Sequence, residues 1–403
     1  MSLLGLIKEN HKTVLFGFIT LFFVGLGQTF FIAQFNYHII SDLKVTRTEL
    51  SFVYSLATFL ASFNLSFIGS LLDRISLKKY LAMVMSLMTL GFILLSNAFN
   101  GLTLFIAFYF IRGFGQVPLG MMATTTVSRF YGEHRGKILM LIGFGRSISE
   151  GVLPLLCIFL FSYFSWRESL LYFNGLFLAL MLPVLLILVP LLPTKEVYAD
   201  KNSLNNSVDV FTWKDAFRLK WPILVMIANA FVPFVMTALF FQQDTIAALK
   251  GWDISIMAKS FTIFSLIHIL GNFIWGPLID KVSARKLQPF ILFPFLLGII
   301  LLSQIDHPII VYFYMGLVGL SIGLGGMVRN TFWAEVYGTK VLGKIKGMDS
   351  NIIVIGTSIA PIFYSLLLDF GLSVKDILYL FIIMTGFIII LYFLTYLHYK
   401  SYK

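Results

Sequence analysis

Ionisable residues lie within long apolar stretches of the sequence, among them Arg112, Arg146, Glu150, His268 and Arg329. A charge within lipid is costly, so an ionisable side chain in such a stretch is a candidate site for binding a solute or a proton. Arg112 lies about 11 residues into its stretch, roughly 16 Å along a helix and near the middle of a membrane. It could be a fixed positive charge beside an anionic solute or a proton carrier. Alternatively, it could bond to helix carbonyls and lock two helices together.

Arg146 and Glu150 are four positions apart, which places them on one face of a helix where they can form an ion pair. A buried ion pair adds little net stability, because desolvation offsets much of the attraction. Protonation of Glu150, or competition for Arg146 by a solute carboxylate, would open the pair and make it a switch. A static salt bridge facing a neighbouring helix is the alternative interpretation.

His268 and Arg329 each allow two interpretations. Histidine side chains can change charge near neutral pH, so His268 could relay protons, or it could be a neutral side chain hydrogen-bonded between helices. Arg329 lies in the inner third of its stretch, where it could bind a solute on the cytoplasmic side or extend its charge to the membrane interface.

Uncharged polar residues extend the candidate site. Gln28 and Thr29 lie near the middle of the first apolar stretch, and Gln242, Gln243 and Asp244 lie at the outer end of the seventh. These two stretches are related by an internal repeat, described below, so the polar groups of both are candidates for lining one solute cavity.

The composition indicates that these residues lie in membrane-spanning segments. The chain has 403 residues, of which 58% are hydrophobic and only 12% charged, which is about half the charge density of a soluble domain. Its apolar runs are continuous, approach 20 residues and do not alternate, which indicates membrane-spanning helices and not a barrel. The predicted spans are 14–38, 47–71, 79–97, 101–128, 136–162, 168–192, 221–247, 257–279, 286–303, 308–334, 343–368 and 376–398.

The basic residues cluster in every second connection, at 74–79, 129–137, 195–220, 281–286 and 340–346. This distribution predicts that both termini and the central connection are cytoplasmic. It also explains the net charge of +11 without a nucleic-acid partner. The predicted organisation is a six-helix bundle over 1–192, a polar linker over 193–220 and a second bundle over 221–403. The end of the linker, WKDAFRLK, is expected to form a short amphipathic helix.

The two predicted bundles are copies of one another. Residues 69–79, GSLLDRISLKK, recur as GPLIDKVSARK at 276–286, an offset of 207 positions. Gly136-Lys137-Ile138 recurs as Gly343-Lys344-Ile345 at the same offset. Several landmarks at one constant offset indicate a tandem duplication.

The duplicated hairpin resembles the signature between spans two and three of the major facilitator superfamily. Gly69, Asp73, Arg74 and Lys78 occupy the signature, with Ser76 where the family usually has glycine; Gly276, Asp280 and Arg285 form the second copy. The resemblance implies an all-α protein of twelve transmembrane helices in two bundles, with spans one, four, seven and ten around a central cavity. It also implies that the hairpin residues act as a conformational latch, in which Asp73 faces the positive end of a neighbouring helix.

Within the superfamily, residues 129–151 resemble the entry into span five of the monocarboxylate-porter and oxalate/formate-antiporter branch. Two features of that branch are absent: Gly25 to Phe30 replaces its signature in span one, and His268 stands near the position of its arginine in span eight. The buried arginines Arg112 and Arg146 outnumber the buried acids, which favours an anionic solute.

The sequence therefore predicts a monomeric secondary transporter that moves a small organic anion such as a monocarboxylate by alternating access, with proton symport or anion exchange. It predicts no cofactor, no metal and no enzymatic activity, and a multi-pass location in a plasma (bacterial inner) membrane. A drug or metabolite exporter is the alternative, since Gly151 to Pro154 partly resembles an exporter element. A transport-inactive receptor and a membrane-embedded enzyme are the alternatives from other classes.

Overall fold

The computed structural model describes residues 3–130, 135–192, 212–338 and 341–400, and this part of the chain is helical and contains no β-strand. The chain divides into two compact units, Met1–Ala199 and Asp200–Lys403. Each unit is described separately below.

Helices of the first unit occupy the positions of the six predicted spans. Span one consists of His11–Val24, Gly25–Gly27, Thr29–Ile32, Ala33–Phe35 and Asn36–Leu43, and span two of Arg47–Phe63 and Leu65–Arg74. Span three is Leu77–Ser96, and span four is Gly101–Phe110, Ile111–Gln116 and Val117–Phe130. Span five is Arg135–Phe161, and span six is Trp166–Pro183, Val184–Leu188 and Val189–Leu191. A short helix, Leu3–Glu9, precedes span one.

The second unit repeats this arrangement. Span seven is Trp221–Phe241 followed by Gln243–Leu249, and span eight is Ser255–Val282. Span nine is Ala284–Leu287, Gln288–Phe290 and Leu292–Gln304. Spans ten, eleven and twelve are Ile310–Tyr337, Leu342–Asp369 and Val374–Tyr399. The helix predicted at the end of the linker is present as Trp213–Leu219, with Trp213 and Phe217 exposed; linker residues 193–211 lie outside the described part.

Nine helices in the described part are long and apolar enough to cross a membrane, and a bent pair, His11–Gly27 with Thr29–Leu43, forms a tenth candidate span. Span two is interrupted at Asn64, and Ser255–Gly271 of span eight is a shorter apolar helix among the residues described. These findings confirm the all-helical, multi-pass membrane fold.

Capping residues define where several spans begin. Thr46, Asn100, Ser165 and Ser373 each cap a helix through a capping box, in which the cap and the third helical residue satisfy each other's backbone N–H groups. Ser76, which replaces the glycine of the family signature, caps span three by accepting from the N–H of Lys79. That serine therefore supplies the helix start that the hairpin needs.

Glycines bring pairs of helices into close contact. A side chain at Gly145 in span five would collide with the Phe18 carbonyl in span one, and one at Gly319 in span ten would lie 2.5 Å from the Phe264 carbonyl in span eight. Small residues of this kind let membrane helices approach until their backbones touch. Gly319 therefore lets spans eight and ten pack closely.

Each unit is also clamped at one end by a charged side chain that joins connections between spans. Arg167 contacts Asp42 at 2.9 Å and donates to the carbonyls of Ser96 and Ala98. In the second unit Lys250 contacts Asp306 at 2.7 Å and donates to the carbonyl of Ile305. Ala98 and Ile305 are 207 positions apart, so the two clamps occupy equivalent places in the repeat.

Candidate functional site

Span one is broken at the centre of the first unit. The segments His11–Gly27 and Thr29–Leu43 meet at an angle of 53°. Between them, Gly25–Gly27 forms a 3-10 turn and Gln28 is extended, with φ −92° and ψ 155°. An extended residue interrupts the helical hydrogen bonds, so backbone groups at the break need other partners.

Span four supplies one of these partners. Residues Ile111–Gln116 form a π-helix, an irregularity that is frequent at functional sites. Arg112 lies in this segment and donates from Nη1 to the Gly27 carbonyl at 2.6 Å and from Nε to Thr58 Oγ1 at 3.2 Å. Its guanidinium carbon also lies 5.3 Å from the centre of the Tyr54 ring, a cation–π distance.

The same break brings further polar groups together. Gln116 donates from Nε2 to Gln28 Oε1 at 3.3 Å, and the hydroxyls of Thr29 and Tyr54 are 2.9 Å apart. We call Gln28, Thr29, Tyr54, Thr58, Arg112 and Gln116 the span-four cluster. Gly27 makes the cluster possible, because a Cβ there would lie 2.6 Å from the backbone of Gly115 and Gln116.

Arg112 is 3% exposed, and no carboxylate of the described residues lies within ion-pair distance of it. Its bonding partners are a carbonyl and a hydroxyl, both neutral. The alternative raised from the sequence, an arginine bonded to helix carbonyls, therefore describes its contact with span one. The same geometry leaves its positive charge uncompensated, which is the electrostatic condition for attracting an anion.

The pair predicted in span five is present but only half buried. Arg146 Nε and Glu150 Oε1 are 3.6 Å apart, and 51% of the Arg146 side chain is exposed against 9% of Glu150. The sequence led us to expect both partners buried, and this holds only for Glu150. The exposed guanidinium can exchange its partner without losing all of its solvation, so opening the pair costs less than for a buried pair.

Span seven is interrupted at Gln242, beside the predicted polar residues. Gln242 donates from Nε2 to Ser365 Oγ of span eleven at 2.7 Å and accepts from Thr245 Oγ1 at 3.1 Å. Gln243 and Asp244 follow and are buried, and Gln243 Oε1 has no hydrogen-bond partner in the described part of the unit. In the structure Gln242 therefore joins span seven to span eleven.

Arg329 lies beside a buried acid of span eleven. Its Nε lies 3.7 Å from Oδ2 of Asp349, which is 2% exposed in span eleven. Asn229 of span seven donates to Asp349 Oδ1 at 3.1 Å, and Tyr392 of span twelve donates to Asn229 Oδ1 at 3.0 Å. We call these four residues the Asp349 network.

Asp349 was missed by the sequence analysis, although the signal was available. It lies within predicted span eleven, where the cost of a charge in lipid makes an acid a candidate. His268, which was predicted, is partly buried in span eight and packs against the Phe264 ring, with ring centres 5.8 Å apart.

The hairpin residues lie at the span two–three and span eight–nine connections. Arg74 and Lys78 are exposed, and a side chain at Gly69 would collide with Met121 of span four. Arg285 contacts Glu335 of span ten at 3.5 Å and donates to the Tyr399 carbonyl of span twelve at 2.9 Å. The side chains of Asp73, Gly276 and Asp280 lie outside the described part, so the latch assigned to Asp73 stays a prediction.

Comparison with known proteins agrees with the fold and the repeated hairpin. The sequence model of the Major Facilitator Superfamily matches residues 17–258 and 230–402, nearly the whole chain. The chain belongs to the major facilitator superfamily. As a member of this superfamily it is a multi-pass membrane transporter of small molecules and not an enzyme. Among curated proteins, none matches the chain by sequence.

Solved structures of other superfamily transporters share the fold. A mutant of the nucleoside transporter NupG has a TM-score of 0.72 at 15% identity, covering 95% of this chain and 98% of that one. A bacterial homologue of the human lysosomal transporter Spinster, in an inward-facing and occupied conformation, has a TM-score of 0.68 at 12% identity, covering 96% of each chain. At such identities the likeness supports the superfamily fold alone.

Proposed function

We propose that this superfamily transporter carries a small organic anion, such as a monocarboxylate, by alternating access with proton symport or anion exchange. The observation that carries the proposal is the buried positive charge of Arg112 beside the break in span one, which no carboxylate of the described residues pairs with. We further propose that the protein resides in a bacterial inner membrane with both termini cytoplasmic, because the basic connections alternate with the others along the sequence.

Arg112 has the hydrogen-bonding capacity to bind a carboxylate. A guanidinium carries five N–H donors, and the described residues use two of its nitrogens, Nη1 and Nε. Hydrogen bonds between a guanidinium and a carboxylate are shorter and about twice as strong as those between neutral groups. A carboxylate bound to the remaining N–H groups would therefore gain more than the neutral partners provide.

The amides of Gln28 and Gln116 would orient the rest of the solute. Their mutual contact at 3.3 Å is long for a hydrogen bond, so a polar solute can replace it at small cost. Glu150 and Arg146 would contribute coupling, since a protonated Glu150 releases Arg146 to a second anionic contact. The hairpin residues, including Asp73, would control the conformational change and not solute affinity.

The alternative is a drug or metabolite exporter of the same superfamily, for which the same amides could hydrogen-bond an uncharged polar solute. The likeness to the nucleoside transporter NupG makes nucleosides suitable test compounds for this alternative. The two functions differ in which chemical class should bind and in whether binding needs the charge of Arg112.

A thermal-shift screen of the purified transporter distinguishes them. The panel contains monocarboxylates, dicarboxylates, amino acids, sugars, nucleosides and cationic drugs. A ligand at about a hundredfold excess over its Kd stabilises the folded state by about 2.7 kcal/mol, which separates ligands from bystanders. We expect stabilisation by an organic anion that is lost in Arg112→Gln. Stabilisation by nucleosides or sugars alone, unchanged in Arg112→Gln, would overturn the anion proposal and leave an uncharged solute as the substrate class.

A further inference from the structure

We propose that a cavity beside the Lys250 clamp of the second unit binds a small organic anion with an apolar body, held by Lys250 and Lys375. The cavity has a volume of about 410 Å³, within the usual range for sites that bind small molecules. It lies among the ends of spans seven, nine, eleven and twelve, and its lining residues all belong to the second unit. The inference goes beyond the proposed transport and does not depend on it.

The internal repeat relates this cavity to a filled place in the first unit. A serine caps span six and span twelve through a capping box, in the sequences SWRE and SVKD. Because the two caps are equivalent, the residues that follow them are equivalent as well. Trp166 of the first unit therefore corresponds to Val374 of the second, and Arg167 corresponds to Lys375.

In the first unit these two residues close the space with their own side chains. Arg167 contacts Asp42 at the end of span one and donates to the carbonyls of Ser96 and Ala98 at the end of span three. Trp166 is buried and donates from Nε1 to the same Asp42 carboxylate at 3.2 Å. Tryptophan and arginine thus join the ends of three spans directly.

The second unit leaves the equivalent space open. Val374 is much smaller than tryptophan and lines the cavity. The Lys375 Nζ lies 5.9 Å from the centre of the Tyr379 ring in its own span, and no carboxylate of the described residues lies within ion-pair distance of it. The adjacent acid, Asp376, accepts from the backbone and hydroxyl of Ser373 instead. Lys375 therefore offers a positive charge at the cavity.

Lys250 supplies a second cation to the lining. Its Nζ donates to Asp306 Oδ1 at 2.7 Å and to the Ile305 carbonyl at 3.4 Å, and it lies 5.1 Å from the centre of the Trp252 ring. An ammonium carries three N–H donors, so one remains for a ligand. The Lys250 side chain is only 10% exposed, against 84% for Asp306. A charge shielded from water attracts an anion more strongly than an exposed one.

The remaining chemistry of the wall defines the class of ligand. Leu249, Leu368, Leu372 and Val374 line the cavity and can bury an alkyl or aromatic body. The ionisable lining residues are two lysines and one acid, so the charges select an anion over a cation. A carboxylate or phosphate head on an apolar body fits both features. A free carboxylate and an anionic lipid share this chemistry, and either would join the ends of four spans.

Protection of a cysteine from a thiol reagent tests the site in the full chain. Leu372→Cys in a Cys157→Ala background places a thiol on the cavity wall, and octanoate should slow its labelling by a maleimide. Phe370→Cys is the matched control, because this side chain is 79% exposed and lies outside the lining, so its labelling should not change. Octanol has the same apolar body without the charge and should protect weakly. Equal protection by octanol and octanoate would overturn the proposal.

Nanodiscs of defined lipid composition distinguish the two sources of the anion. In phosphatidylcholine alone, protection that requires added octanoate identifies a free carboxylate as the ligand. Protection that appears when phosphatidylglycerol is included, without octanoate, identifies an anionic lipid. Both outcomes support the site, whereas absence of protection under both conditions would overturn it.

Three variants, each combined with Leu372→Cys, assign the effect to this cavity. Lys375→Gln should weaken the apparent affinity about tenfold or more, because a hydrogen bond to a charged group is lost. Val374→Trp introduces the residue found at the equivalent position of the first unit and should abolish protection by filling the cavity. Arg112→Gln should leave protection unchanged, which separates this site from the proposed transport site. Full protection in Lys375→Gln, or its loss in Arg112→Gln, would refute the assignment.

Discussion

The Nη1 atom of Arg112 donates a 2.6 Å hydrogen bond to the carbonyl oxygen of Gly27, at the break in span one. This bond is compatible with both interpretations that the sequence left open for Arg112. The arginine locks span four to span one, and it does so through a neutral acceptor that leaves its charge available. A solute carboxylate bound there would strengthen the contact between the two spans or compete with the Gly27 carbonyl for the guanidinium.

Replacement of Arg112 should remove anion binding. Arg112→Gln loses the charge, whereas Arg112→Lys keeps it without the planar set of donors and should restore binding only partly. We also expect Arg112→Gln to lower the free energy of unfolding by about 1.5–3 kcal/mol, the usual contribution of hydrogen bonds to a charged group. Arg167→Gln removes an arginine that also bonds to carbonyls, and it should leave anion affinity unchanged. Retention of affinity in Arg112→Gln would contradict the site assignment.

Gly27→Ala should disrupt the span-four cluster. The new Cβ would lie 2.6 Å from the backbone of Gly115 and Gln116, which cannot move aside as a flexible side chain could. Overpacking of this kind costs about 1–3 kcal/mol, so the thermal midpoint should fall and anion binding should weaken. Gly143→Ala in span five is the matched control, because nothing lies within 4 Å of its Cβ position. Equal stability of the two variants would show that spans one and four are not in close contact.

Glu150→Gln tests the coupling role proposed for the Arg146–Glu150 pair. The change mimics the protonated acid, so anion exchange should be retained while accumulation driven by a pH gradient is lost. The measurement is uptake by proteoliposomes with and without the gradient. Asp306→Asn, which removes an exposed acid from the Lys250 clamp, is the control and should keep gradient-driven accumulation. Accumulation at the wild-type level in Glu150→Gln would show that the pair is a structural salt bridge.

The clamp between Lys250 and Asp306 should make stability depend on pH. The hydrogen bond and positive charge of Lys250 hold the pKa of Asp306 below its usual value of 3.8. Because the unfolded chain binds this proton more readily, the clamp stabilises the protein above the usual value and loses its effect as the pH falls below it. Asp306→Asn should therefore lower the thermal midpoint near neutral pH, with the difference from wild type vanishing in acid. A difference that persists or grows in acid would contradict the assignment.

The predicted topology can be tested by labelling. Leu204→Cys in a Cys157→Ala background places the cysteine in the predicted cytoplasmic linker, and Cys157 itself is buried in span five. An impermeant thiol reagent should fail to label this cysteine in intact cells and should label it after the membrane is opened. Labelling in intact cells would place the linker outside and invert the orientation.

Much of the architecture follows from the sequence, because lipid imposes a local rule. Every span must be apolar and must satisfy its own backbone hydrogen bonds, so the length of each apolar run predicts a helix without knowledge of its neighbours. The repeated hairpin then indicates the duplication and the superfamily. The same rule identified Arg112, Arg146, Glu150 and Arg329 as unusual residues, and applied to span eleven it would also have identified Asp349.

Only the tertiary structure decided what these residues contact. Arg112 bonds to a residue 85 positions away, and Asn229 bonds to an acid 120 positions away. Such contacts depend on the rotation of each helix and on close approaches at glycines, neither of which apolar length encodes. The acceptor of Arg112 is moreover a backbone carbonyl beside the extended Gln28, and residue type does not reveal which carbonyl a break will expose. The sequence by itself therefore determined the membrane fold and the candidate charges, while helix packing decided which charge lies beside an acid and which does not.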